Sequence, residues 1–396
     1  MKDEERRFLE GKHGDVLPAE NKNPIYEPRE DSEMLRRHIK DYAKGKILDM
    51  GTGSGVLAKE AVGYGEVLAV DKNPDAVSYV KNLGIDAKES DLFSEVDERF
   101  DLIIFNPPYL PQDPGVEDMA LFGGKKGYEV SVDFISQAAD YLERDGKILF
   151  LFSSLTKKDK IEEALVHNMF TWKELEKKHI FFEDIYVYLI EKTSARKEIE
   201  PYVSDIRYLA QGKRGITYIG IYKGEKVTIK TKRSSSKVNR LGFEAEWLKK
   251  IPFAPDLVFA GRNYIVYRYI EGIPMKKFIE DAEPKKLYKV IMRLLDLAYE
   301  LDKMGINKEE MHRPFTNVLV SDEPHLIDFE RAHYTEQPKN VTQFCQFLHG
   351  FRKLLAEKGI KVDKITSAAR KYKEDRDISK VRSCISNDIG LTYENI

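Results

Sequence analysis

The sequence predicts an α/β domain with a doubly wound, mostly parallel sheet, followed by an α+β domain. Three observations carry this. Apolar strands alternate with amphipathic helical stretches from Lys46 to about residue 152. A glycine-rich turn follows the first of those strands, and beyond about residue 205 strands come first and helices later. A chain of 396 residues also exceeds a typical single domain, so two domains are expected: 1–194, a linker over 195–204, and 205–396.

Taken in order, residues 1–45 are polar and read as helical or irregular. ILDM (47–50) runs into the glycine turn and a helical stretch, then the strand EVLAVD (66–71) and a helix from Pro74 to Leu83. The segment IDAKESD (85–91) precedes the strand FDLIIF (100–105). A helix around Val132–Leu142 leads to KILFLF (147–152), the Lys/Glu runs over 155–177 read as a solvent-facing helix, and 179–192 reads as a closing antiparallel hairpin. The stretch 192–205 is polar, lacks apolar periodicity and contains a proline, which makes it the linker. Beyond it, 216–232 reads as two antiparallel strands joined at Lys223–Gly224, with helices dominating after Pro284.

Composition narrows the function classes. Apolar residues make up 42% and charged residues 33%, yet the net charge is only -2, which gives no global reason for tight nucleic-acid binding. The two cysteines, Cys345 and Cys384, have no metal-site or disulfide spacing. The opening MKDEERRFLEGK is too charged for a secretion signal and no apolar run is long enough for a bilayer, so a cytoplasmic protein without a membrane partner is expected.

The first functional signal is the turn Asp49-Met-Gly51-Thr-Gly53-Ser-Gly55. Glycines there let the backbone turn sharply and approach a ligand, and Asp71 ends the next strand about twenty residues on, placed to accept from ribose hydroxyls. A nicotinamide site would also fit, but the spacing is G-x-G-x-G rather than G-x-G-x-x-G. The second signal is Asn106-Pro107-Pro108-Tyr109 at the carboxyl end of the fourth strand, where open α/β sheets bind ligands. An amide or exocyclic amino nitrogen is a poor nucleophile because its lone pair is delocalised. The Asn106 side-chain oxygen and the Pro107 carbonyl can hold its two N–H groups, and Tyr109 can stack on its flat face. Catalysis of this kind is orientation and preorganised electrostatics rather than strong base chemistry.

With those residues in view, 20–192 resembles the HemK-type N5-glutamine methyltransferases, in the archaeal and eukaryotic branch that acts on release factors. The resemblance extends to Tyr26-Glu27-Pro28-Arg29-Glu30-Asp31-Ser32 upstream, Phe122–Gly127 downstream and the strand FFEDIYVYLIEK. It implies a Rossmann-like fold and S-adenosylmethionine as donor. Glu27, Pro28 and Asp49–Gly55 would line the donor pocket, with Asp71 on the ribose and Asp91 near the adenine. It also implies a glutamine of a Gly-Gly-Gln loop in a peptide-chain release factor as acceptor, and a small zinc-containing activator subunit as partner. An adenine-N6 methyltransferase is the rival reading, and a lysine acceptor a third.

In the second half, four features fall in the order a protein kinase uses. Ala210-Gln-Gly212-Lys-Arg-Gly215 resembles a degraded phosphate-covering glycine loop, and Val227-Thr-Ile-Lys230 the lysine strand. Glu244 on a helix would pair with Lys230, and Leu326-Ile-Asp328-Phe329-Glu330 resembles the metal-binding Asp-Phe-Gly motif with Glu in place of Gly. IVYRYIEG (265–272) reads as the hinge beside an adenine. Together they resemble atypical kinases of the RIO type and the kinase subunit of the tRNA-threonylcarbamoylation complex, which implies ATP and Mg²⁺, the latter on Asn317 and Asp328. The catalytic loop departs from the pattern: five residues before Asn317 stands His312, and the carboxylates Glu309 and Glu310 lie further back. Glu310 in a loop longer by two residues is the expected base, His312 the lesser alternative, and a regulatory or docking module that binds nucleotide the competing reading. The basic run Lys230–Arg240 suggests contact with RNA or the ribosome, with a solvated loop as its plainer reading.

Overall fold

The structure, a computed structural model, describes residues 29–110, 123–180 and 182–388. The chain divides into two compact units, 1–199 and 200–396. Among the described residues no helix is long and apolar enough to cross a membrane.

The first unit is built on seven strands: β1 (Lys46–Met50), β2 (Glu66–Asp71), β3 (Asp86–Glu89), β4 (Phe100–Phe105), β5 (Leu142–Ser153), β6 (Phe170–Ile180) and β7 (Glu183–Lys192). They form one sheet in the order β3-β2-β1-β4-β5-β7-β6, parallel from β3 to β5 and antiparallel at β7 and β6. This is a Rossmann-like sheet, parallel but for its last two strands. Both faces are buried, which is why the strands read as apolar runs. Leu102, Ile104, Leu149 and Leu151 point to one core with Met34, Leu35 and Ile39 of the helix Glu30–Tyr42. Ile103, Phe105, Ile148, Phe150 and Phe152 point to the other, where Phe134 packs. The chain leaves β1 toward β2 on one side and returns to β4 on the other, so a crevice opens where both strands end. Their register pairs Met50 with Phe105, which brings the glycine turn beside Asn106.

Two expectations needed correction here. The helix expected over Val132–Leu142 runs Glu129–Ala138, one turn earlier. The Glu129 carboxylate accepts the N–H groups of Lys126 and Tyr128 at its start, and Leu142 already pairs with Phe100 in β5. The Lys/Glu run does contain the helix Lys158–His167, but from Phe170 it is edge strand β6, so the terminal hairpin begins nine residues earlier than 179. Charged residues on an exposed edge discourage further strand pairing. The stretch expected as the linker, 195–204, spans the division between the two units and carries regular structure. Ser194–Ile199 is a short helix with Ala195, Arg196 and Ile199 buried, and Val203 already starts the next sheet.

The second unit opens with strands β8 (Val203–Gln211), β9 (Gly215–Tyr222), β10 (Glu225–Lys232), β11 (Leu257–Ala260) and β12 (Tyr264–Arg268), in the antiparallel order β11-β12-β10-β9-β8. The β9–β10 turn is Lys223–Gly224, both at positive φ, the conformation two-residue hairpins favour. The helix Leu241–Lys250 packs on this sheet through Leu241, Ala245, Trp247 and Leu248. The rest is mainly helical, built around the twenty-residue helix Pro284–Lys303. A small hairpin, Val318–Val320 with Pro324–Leu326, carries Asn317 and Asp328 just beyond its two strands.

Candidate functional site

In the first unit the glycine turn wraps a buried acid. Gly51, Gly53 and Gly55 all have positive φ, and a Cβ on Gly55 would stand 2.9 Å from Val80 Cγ2. Only glycine suits both the conformation and the space there. Asp49 is fully buried: Oδ2 accepts from Thr52 Oγ1 at 2.7 Å and from the Ala58 N–H at 3.0 Å, while Oδ1 has no partner. Burial pushes its carboxyl up to about 7, against those two hydrogen bonds. Asp71 at the end of β2 accepts the Gly53 N–H and the Asn73 N–H, each at 2.9 Å. Its oxygens therefore brace the turn, and any ribose hydroxyl shares them. Asp91 lies exposed after β3. Glu27 and Pro28 lie outside the described residues.

Asn106 emerges from β4 with its two amide atoms in contrasting settings. Nδ2 donates to Asp31 Oδ2 at 3.3 Å and to Ser32 Oγ at 3.4 Å. Oδ1 is buried without a hydrogen-bond partner. An ionised carboxylate accepts only, so Asp31 fixes which way the amide faces. Asp31 and Ser32 are 5% and 3% exposed at the start of the helix Glu30–Tyr42. Sequence reasoning quoted both residues without giving them a role; the signal was a carboxylate one residue into a helix next to a serine. Pro107 is buried and Tyr109 half-buried against the core. Burial, then the nearby Asp31 and Glu183 carboxylates, push the Tyr109 phenol well above its ordinary range, so it stays neutral. The downstream glycines close on this segment. The Gly123 N–H donates to Leu110 O at 3.0 Å, and a Cβ on Gly123 would lie 2.5 Å from the Pro108 carbonyl.

In the second unit Lys230 of β10 bridges two carboxylates, Glu244 Oε2 at 2.7 Å and Asp328 Oδ1 at 3.0 Å. Burial alone lowers the Lys230 ammonium, but the two carboxylates outweigh it and hold it above the ordinary lysine range. Burial likewise opposes ionisation of Asp328, and Lys230 wins there too, keeping that carboxyl below its usual range. Asn317 is buried with Oδ1 unpartnered, and its main-chain carbonyl accepts the Ile327 N–H at 3.0 Å. The Gly212 N–H donates to Gly215 O at 2.9 Å in the β8–β9 turn, and a Cβ on Gly215 would sit 3.7 Å from Lys230 Cε. Arg214 of that turn reaches Glu330 at 2.6 Å. Among the described residues no three His, Cys, Asp or Glu side chains cluster as a metal site.

The segment expected to be a catalytic loop, 309–317, is less simple than the sequence pattern. Glu310 is ion-paired with Arg331 at 2.6 Å, and both Glu309 and Glu310 have positive φ. His312 is exposed. Lys308, just before them, is 2% exposed and donates to the Asp328 carbonyl at 3.1 Å. Nothing in the sequence marked it, since Lys-Glu-Glu reads as surface charge.

The parallel sheet, the glycine turn and the Asn-Pro-Pro-Tyr segment define a methyltransferase dependent on S-adenosylmethionine. Residues 29–182 match the family model "Methyltransferase small domain". A putative protein N5-glutamine methyltransferase of Methanocaldococcus jannaschii is 38% identical over 145 residues, 33% of this chain and 74% of that protein. A release factor glutamine methyltransferase of Deinococcus radiodurans is 35% identical over 144 residues, 31% of this chain. The chain spans about half the length of that bacterial relative, 52%. The chain thus belongs to the small-domain methyltransferase family and is related to the N5-glutamine methyltransferases. Among solved structures, the bifunctional kinase-methyltransferase WbdD aligns over 84% of this chain and 85% of its own, at 14% identity and a TM-score of 0.39.

Proposed function

We propose that the first unit methylates the side-chain amide nitrogen of a protein glutamine, in a release factor. The observation that carries this is the Asn106 amide, whose nitrogen is tied to Asp31 and Ser32 while its oxygen stands buried and unpaired. A buried acceptor without a donor costs about 1–3 kcal/mol, so it persists where a ligand supplies the donor. A primary amide brings two N–H groups, one for Asn106 Oδ1 and one for the Pro107 carbonyl. Accepting both localises the nitrogen lone pair toward the attacking direction, and the nitrogen gives up one of these two protons to solvent as it gains the methyl group. The Tyr109 ring offers a flat face on which a planar amide can stack.

The donor pocket fits a sulfonium nucleoside: the turn is narrow, and Asp49 Oδ1 and the Asp71 carboxylate offer acceptors. S-adenosylmethionine supplies the electrophilic methyl when bound; Gly51–Gly55, Asp71 and Asp91 would hold it. The curated relatives' activity supports the glutamine acceptor, and the resemblance supports a small activator subunit as partner. The near-neutral net charge argues against the adenine-N6 alternative.

For the second unit we infer a protein-kinase-like fold that binds ATP with Mg²⁺. The five-stranded antiparallel sheet with its helix, the Lys230–Glu244 pair and the unpaired Asn317 oxygen support it. Lys230 suits the phosphates, Gly212–Gly215 the covering loop, and Asn317 with Asp328 a hard cation that keeps several waters. Glu310 can act on a substrate hydroxyl once it leaves Arg331.

The deciding experiment is to incubate the full chain with methyl-labelled donor and a Gly-Gly-Gln release factor, then map the label. Label on the glutamine amide nitrogen is expected; label on adenine or lysine would overturn the reading.

A further inference from the structure

We propose that Lys308 is a positioning residue for the metal-binding loop of the second unit, its ammonium holding the Asp328 main chain so that the Asp328 carboxylate is presented beside Lys230. The proposal rests on the nucleotide-binding reading and names a residue that reading does not contain.

Asp328 has φ +63°, a left-handed conformation that a non-glycine residue keeps only when its surroundings impose it. Lys308 supplies the constraint on one side. Its Nζ donates to the Asp328 carbonyl at 3.1 Å and lies 5.0 Å from the ring centroid of Phe329, which is itself fully buried. On the other side the main chain of Asp328 leads to Glu330, which is held by Arg214 at 2.6 Å. Lys308 is in turn fixed. Its N–H donates to Asn340 Oδ1 at 2.9 Å, and Asn340 is fully buried, donating to Asp302 at 2.8 Å and to the Ile306 carbonyl at 2.6 Å. The metal-side turn is thereby tied through Lys308 to the start of the helix Asn340–Gly350.

Packing does not account for an ammonium here. Lysine is almost never fully buried without a polar reason, and methionine would fill similar space without the desolvation. The charged groups facing it are Asp328, Glu244 and Glu310, with Lys230 opposing. Because the bond is to a carbonyl, Lys308 occupies neither carboxylate oxygen of Asp328, which are left to Lys230, the Glu330 N–H and a cation.

The test is binding of a fluorescent ATP analogue to the full chain, titrated with Mg²⁺, for the native protein, Asp328→Asn, Lys308→Met and Lys308→Gln. Lys308→Met is expected to raise the Mg²⁺ needed for half-maximal binding at least about tenfold, the usual cost of losing a group that orients a metal ligand. Nucleotide affinity at saturating Mg²⁺ should stay near native, and Lys308→Gln, which keeps an N–H donor, should recover part of the loss. An unchanged Mg²⁺ requirement in Lys308→Met would overturn the proposal while leaving the nucleotide site standing. Absence of Mg²⁺-dependent binding by the native chain, or no effect of Asp328→Asn, would instead remove the nucleotide reading and this inference with it. If Lys308→Met does not fold, Lys308→Gln decides; if neither folds, Lys308 is a core residue and the proposal fails.

Discussion

Each unit buries an asparagine whose side-chain oxygen has no partner, and the two are held in different ways. Asn106 is oriented by side chains, with Nδ2 on Asp31 and Ser32. Asn317 is placed by backbone, its carbonyl accepting the Ile327 N–H across the hairpin that leads to Asp328. On the proposed reading the first faces N–H groups of a planar amide, where the amide plane itself must be aimed. The second faces a spherical cation, which accepts an oxygen from a wider range of directions, so placing the Cα suffices. A directional ligand demands a second layer of side chains; a cation demands mainly the right position.

The sharpest way to break this comparison is Asn106→Ala. Loss of one aimed acceptor should lower kcat for methyl transfer by about 10²–10³, as for other preorganised polar groups at reacting centres. Equilibrium binding of labelled donor should stay near native. Donor binding lost in parallel with turnover would show that Asn106 belongs to the donor pocket and not to the acceptor.

The second unit offers a stability contrast. Glu244 is 1% exposed and shares Lys230 with Asp328. Glu244→Ala leaves a buried ammonium with one carboxylate, at a cost of about 3 kcal/mol. The chain has two tryptophans, Trp172 in the first unit and Trp247 beside Glu244. In a Trp172→Phe background, fluorescence during urea unfolding reports on the second unit alone. A midpoint unmoved by Glu244→Ala would mean that the pair contributes nothing net.

The fold was legible wherever burial was two-sided. β1, β2 and β4 read as apolar runs because helices cover both faces, and the ligand crevice followed from where those runs ended. β6 was hidden because it is an edge strand whose sequence, FTWKELEKKHI, keeps charge on exposed positions and mimics a surface helix. β8 was hidden for a similar reason, being mostly exposed and without alternation. Among site residues, those proposed to touch a ligand stood out as motifs. Those that hold them did not: Asp31 looks like an ordinary first-turn helix acid, and Lys308 like surface charge. Their roles arise from contacts 75 and 20 residues away in sequence, which local pattern does not encode.

Asp49 gives the comparison a pH axis, since its burial raises the carboxyl from 3.8 to about 7. A raised carboxyl stabilises the fold fully below the unfolded value, near 4, and the contribution is lost as pH rises through 7. Between pH 5 and 7.5 the first unit should lose about 2 kcal/mol from this group. Asp49→Asn should flatten that slope, read as the difference in Tm between variant and native chain at the two pH values. A difference independent of pH would mean that Asp49 ionises normally.

The smallest expected effect tests how Asn106 is aimed, at a carboxylate that also stands beside Tyr109. Asp31→Asn keeps shape and volume but replaces an acceptor-only carboxylate with an amide that can either donate or accept. Asn106 then loses the electrostatic reason to keep its nitrogen toward residue 31, and its oxygen no longer points to the acceptor in every molecule. If flipped and unflipped forms become comparable, kcat falls only about twofold; if the flipped form dominates by about 1.4 kcal/mol, it falls about tenfold. Either outcome lies well short of Asn106→Ala, and donor affinity should not change, since Asp31 has no part in the glycine turn. Among the described residues no side chain holds Asn317 in the same way, and its constraint is the peptide backbone. A fall in kcat as large as that of Asn106→Ala would assign Asp31 a direct part at the acceptor amide, and the division between aimed and placed asparagines would have to be redrawn.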